Sequence, residues 1–158
     1  MKKKLPYIIG AGLLVVVVFV WYQSSIDFFS SIKESEGLKS VIQPFFDFVF
    51  GSGSLTSDFI RKSAHVIEFS VLGALFSIFL WIILKRSNVV KMIYLKLFVL
   101  SSASSLLVAI LDETIQYFSN RHARVSDVAL DFCGSLFGIF VVILIVSIVE
   151  YVKRNGKN

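Results

Sequence analysis

Three short polar clusters carry whatever chemistry this chain performs. Lys62, His65 and Glu68 form the first, Asp112, Glu113 and Gln116 the second, and Arg121, Asp127 and Asp131 the third. His65 is suited to act as a general acid or base, with Glu68 or Glu113 orienting it. Lys62 and Arg121, with Arg61 or Arg124 beside them, are suited to grip phosphate or carboxylate, and arginine does so bidentately. Asp112, Gln116, Asp127 and Asp131 would hold those bases in place and complete a ligand site. Several carboxylates around one histidine could also hold a hard divalent ion on oxygen. The spacing names no particular metal set or cofactor. A third use is structural: Glu68, Asp112, Glu113, Asp127 and Asp131 nearly balance Arg61, Lys62, Arg121, Arg124 and His65, as a self-satisfied ion-pair network would. The sequence has no nucleophile elbow and no His-Glu-x-x-His. His122 falls in a polar turn and reads as solvated.

The elements that position these clusters are apolar runs long enough to cross a bilayer. Of 158 residues, 56% are hydrophobic and only 17% are charged, with a mean hydropathy of +0.79. A hydrocarbon core of roughly 30 Å needs about 18 or more apolar residues. Four runs qualify, at about 5–21, 64–84, 92–111 and 128–149. The expected fold is therefore an all-α polytopic membrane protein, a compact four-transmembrane-helix bundle, with residues 1–158 as one domain. The first run follows Lys2-Lys3-Lys4 but is longer than a signal-peptide core and lacks a small-x-small cleavage site, so it reads as a retained span.

Charge sets the expected orientation. Lys2, Lys3, Lys4, Lys85, Arg86, Lys91, Lys96, Lys153, Arg154 and Lys157 fall on one side, against Lys33, Lys39, Arg61, Lys62, Arg121 and Arg124 on the other. The positive-inside rule then puts both termini in the cytoplasm and the polar cluster outside. A net charge of +5 so distributed points to membrane flanks, not to nucleic acid.

The first outer loop, about 22–61, contains Leu38, Val41, Ile42, Phe45, Phe46, Val49 and Phe50 at three- and four-residue steps. This predicts a short interfacial or re-entrant helix over about 38–50 that roofs the bundle, with Pro44 bending it or marking its start. A surface-lying helix is the plainer alternative. Gly51-Ser52-Gly53-Ser54 is a joint, and Ser57 or Asp58 is the expected cap of the next helix.

Helical spacing puts Arg61, His65 and Glu68 on one face, Asp112 and Gln116 on another, and Asp127, Asp131, Gly134 and Gly138 on a third. Gly134 and Gly138 form a small-xxx-small pair, and Ser101, Ser102, Ala103, Ser104 and Ser105 offer a similar surface. The carboxylates are thus expected to turn inward. Cys133, the single cysteine, reads as a small packing residue. A proton-coupled transporter fits less well, because the polar groups stop short of the midplane and no repeat is visible.

The ordered set resembles the VanZ-like membrane proteins. It comprises Lys62-Ser63-Ala64-His65, then Asp112-Glu113-Thr114-Ile115-Gln116, Arg121, Asp127, and Asp131 with Gly134 and Gly138. The resemblance covers about residues 20–145. Ser119-Asn120-Arg121 departs from the family's usual Pro-Gly-Arg, so the turn is less constrained. The resemblance implies a bacterial envelope protein and a link to teicoplanin resistance. The expected partners are the bilayer and an anionic lipid-linked envelope component or lipoglycopeptide. The alternative is an enzyme acting on a lipid phosphate or lipid-linked sugar.

Overall fold

The computed structural model describes residues 4–25, 28–50, 55–86, 92–119 and 124–156, and, within 28–50, the side chains of residue 33 and residues 36–48. These residues form α1 (Leu5–Ser25), α2 (Phe28–Phe50), α3 (Ser57–Arg86), α4 (Ile93–Phe118) and α5 (Val125–Asn155), with no strand among them. α1, α3, α4 and α5 are long and apolar enough to cross a membrane, and the fold is an all-α membrane bundle.

Each spanning helix is longer than its apolar run. α3 has 30 residues and α5 has 31, or roughly 45 Å at 1.5 Å per residue. Near lipid the backbone must satisfy its own polar groups, so the helix continues through the charged turns that a hydropathy count excludes. The added turns carry Asp58, Arg61 and Lys62 at one end and Lys85 and Arg86 at the other.

α3 and α5 make the most extensive contact, and α4 packs on both. Glycine sets the spacing. A Cβ at Gly134 would lie 2.6 Å from the Val66 carbonyl oxygen. One at Gly138 would run into the Ser70 carbonyl, and one at Gly73 into the backbone of Ser135. The small-xxx-small pair of α5 is therefore used inside the bundle, against α3. Of the serine-rich run on α4, Ser101 and Ser105 are fully buried and Ala103 is exposed. Ser77 Oγ–H donates to Ser101 Oγ at 3.1 Å, which joins α3 to α4.

α1 lies against α3 and α4 through one stripe. Gly10 sits over Phe79, and Leu13, Val20 and Ser24 are buried at steps of three and four or their sum. Phe69, Leu72, Val108 and Ala109 complete this core.

Several expectations need correction. α2 has 23 residues and begins ten residues before the expected start. It runs through Pro44, which neither bends it out of helix nor starts it. Among the described elements α2 touches only α3, with Phe46 edge-on to Phe59 at 6.4 Å, so it flanks α3 and does not roof the bundle. α3 is capped by Thr56, whose Oγ1 accepts the Phe59 N–H at 3.1 Å. Asp58 is drawn instead to Arg61 and Lys62. Cys133 is exposed on the outside of α5, because Gly134 and Ser135 hold the inward positions. The Gly51–Ser54 joint lies outside the described residues.

Gly138→Leu should push α3 from α5 and lower stability by about 3 kcal/mol or more, overpacking of a site that cannot yield. Gly12→Leu, where nothing lies within 4 Å, should be near neutral. Thermal melts of the two variants in detergent, beside wild type, measure the difference.

Candidate functional site

Four helix ends converge at one end of the bundle: the last turns of α1 and α4 and the first turns of α3 and α5. The antiparallel course of the spans forces this, since α1 and α4 run toward that end and α3 and α5 run away from it. The described residues of all three polar clusters, Lys62, His65, Glu68, Asp112, Glu113, Gln116, Asp127 and Asp131, lie toward this end of the bundle.

Asp112 lies at the centre, with 0% exposure. Ser24 Oγ–H donates to its Oδ1 at 2.6 Å, and Gln116 Nε2–H donates to its Oδ2 at 2.8 Å. Gln116 Nε2 is also 3.4 Å from Ser24 Oγ. The i, i+4 pairing of Asp112 with Gln116 follows from helix geometry. The bond from Ser24 brings α1 onto the same carboxylate.

Asp131 is 2% exposed, on the face of α5 that carries Gly134 and Gly138. His65 Nδ1 lies 3.8 Å from its Oδ1. Asp131 is thus a carboxylate neighbour of His65, a pairing the sequence reading did not name. Glu68 is half-buried one turn further along α3. Glu113 is buried, and the backbone N–H of Arg124 donates to its Oε1. Arg124 is the N-cap of α5 and makes no side-chain cap of its own. Glu113 therefore ties the end of α4 to the start of α5.

The bases lie further out. Lys62 Nζ is 3.2 Å from Asp58 Oδ2 and 4.0 Å from Asp127 Oδ1. Arg61 reaches Asp58 at 2.7 Å. Arg61, Lys62, His65, Gln116, Asp127, Leu130 and Asp131 line a small cleft of about 20 Å³, room for a water or an ion. Its mouth is cationic and its floor is carboxylate. The ligand-binding assignment of Arg121, and His122 beside it, lie outside the described residues.

The structure thus brings together Lys62, His65, Asp112, Glu113, Gln116, Asp127 and Asp131 from three spans. Sequence reasoning missed Ser24 and Asp58. Ser24 continues the Leu13, Val20 stripe, but an apolar count that stops at Trp21 leaves it in the loop. Asp58 was read as a cap because it precedes the apolar run.

Four apolar spans around a buried polar cluster define a multi-pass α-helical membrane protein. The chain belongs to the VanZ/LLP1 family, whose family model matches residues 10–146. No curated protein and no solved structure matches it.

Ser24→Ala should destabilise the bundle by about 0.6–2 kcal/mol, the range for a hydrogen bond between membrane helices. Denaturant titration in mixed micelles measures this. A change below about 0.5 kcal/mol would mean that α1 is held by its apolar stripe alone.

Proposed function

We propose that the protein binds the anionic headgroup of a lipid-linked envelope component at the mouth of this cleft, and that this binding lowers susceptibility to teicoplanin-type glycopeptides. The observation that carries the reading is a cleft whose cationic mouth lies beside apolar surface. Lys62 keeps 37% of its side chain exposed while paired with Asp58, so an incoming anion can take over its charge without unfolding the site. Phe59, Ile67, Tyr117 and Phe118 are exposed near the same end, and Leu38, Val41, Phe45 and Phe48 form an exposed stripe along α2. An amphiphile would set its charge at Lys62 and Arg61 and its chain along these side chains. Asp58 and Asp127 hold the bases in reach. A lipoglycopeptide carries an acyl chain and works near the same surface, which connects the reading to the resistance trait.

The reading needs the cleft to face outward. Lys4, Lys85, Arg86, Lys153 and Arg154 all lie toward the opposite end of the bundle. The positive-inside rule assigns that end to the cytoplasm. In a Cys133→Ala background, Ser40→Cys should react with a membrane-impermeant maleimide on intact cells. Lys153→Cys should react only after permeabilisation. The reverse pattern would turn the site inward and end this reading.

The function itself is tested by teicoplanin susceptibility in a Gram-positive host. Wild type, Lys62→Ala, His65→Ala and empty vector are compared at matched membrane abundance. Wild type should protect and both variants should not. Losing one charge-assisted contact of about 1.5–3 kcal/mol weakens headgroup binding by roughly 10- to 100-fold. Protection by Lys62→Ala equal to wild type would count against headgroup binding at the cleft mouth.

A further inference from the structure

The floor of the cleft has a different chemistry from its mouth. His65 on α3, Asp112 on α4 and Asp131 on α5 each offer one ligand atom, and these three atoms all lie within 4.8 Å of one another. Each comes from a different spanning helix of the bundle core. In a tetrahedral site with bonds of about 2.0–2.2 Å, ligand atoms stand roughly 3.4 Å apart. Shifts below about 1 Å would bring this trio to that spacing.

We propose that His65, Asp112 and Asp131 hold a first-row divalent cation of the Zn²⁺ or Mn²⁺ type, with water completing its coordination. Four observations support the site. First, Asp131 is almost fully buried, lines the cleft, and meets His65 Nδ1 at 3.8 Å, longer than a hydrogen bond. A buried carboxylate in that condition calls for a counter-charge. Second, Asp112 is already oriented by the Ser24 hydroxyl and the Gln116 amide. This is how outer groups commonly hold a ligating carboxylate. Third, one imidazole with two carboxylates suits zinc or manganese better than magnesium or calcium, which prefer all-oxygen sites. Fourth, the cleft past Arg61 and Lys62 gives an ion a route in.

The inference goes beyond headgroup binding and does not need it, although a cation at the floor would add a second positive centre for a phosphate. The test therefore uses no lipid and no drug. The full chain, carrying a histidine-free tag, is purified in detergent, stripped with chelator, equilibrated with Zn²⁺ or Mn²⁺, and desalted. Bound metal is then measured by elemental analysis and Tm by circular dichroism. Wild type should retain about one ion per chain and melt higher with it, and Mg²⁺ at the same concentration should do neither. Asp131→Asn and His65→Gln should each weaken retention by at least ~10- to 100-fold. Lys153→Ala, at the far end of α5, should retain the ion as wild type does. In chelator, Asp131→Asn should melt no lower than wild type, because it removes a buried charge, so a folded variant without metal is the expected result. Wild type that retains no ion, or both ligand variants retaining it equally, overturns the site. A chain that binds the ion while Lys62→Ala leaves susceptibility unchanged keeps this site and loses the headgroup reading.

Discussion

The close approach of α3 and α5 is the constraint on which the rest depends. At Gly73, Gly134 and Gly138 the two backbones are near enough that a methyl group has no room. Only at that separation does His65, one turn before Phe69, reach Asp131, one turn before Gly134 and Ser135. A wider spacing would leave the Asp131 carboxylate in a gap between helices. The glycines are thus part of the site, although none offers a functional group.

Dipoles and charges agree with this packing. The N-termini of α3 and α5 point to the site end, and each carries an aspartate in its first turn, Asp58 and Asp127. Their C-termini point the other way and end in Lys85, Arg86, Lys153 and Arg154. Each charge thus complements the helix end that bears it. The same two aspartates flank Lys62, at 3.2 Å and 4.0 Å. Charges that steady the helix ends therefore also place the cleft's bases.

The spans and the inward turn of the carboxylates were legible in the sequence because they rest on periodicity and on the penalty for polar groups in lipid. Asp112 with Gln116, and Asp131 with Gly134 and Gly138, needed only helical spacing. What was not legible depended on contacts between elements. Nothing local says that His65 meets Asp131 and that Glu113 bonds the backbone of Arg124, because both follow from how α3, α4 and α5 pack. α2 was misjudged for a related reason. Its N-terminal half is polar enough to pass for loop, and Pro44 reads locally as a break. The helix nevertheless continues through Pro44. Thr56 was overlooked as the cap in favour of two equally plausible neighbours.

Within a bilayer, apolar burial does not drive helices together, because lipid tails are as apolar as leucine. Association must come from small residues and polar contacts, and the bundle has at least one at each major interface. α1 meets α4 through Ser24 and Asp112, and meets α3 where Gly10 admits Phe79. α3 meets α4 through Ser77 and Ser101. α4 meets α5 through Glu113 and the Arg124 N–H. α3 meets α5 through the glycines, His65 with Asp131, and Lys85 with Glu150 at the far end. Most of these polar contacts gather at the cleft. The site end is therefore both the place where the spans are locked together and the place where a ligand would act. A ligand that drew Lys62 or Asp131 away from its present neighbours would act on the packing of three helices at once. α2 stands apart from this pattern: its described contact is with α3, where Phe46 meets Phe59 edge-on.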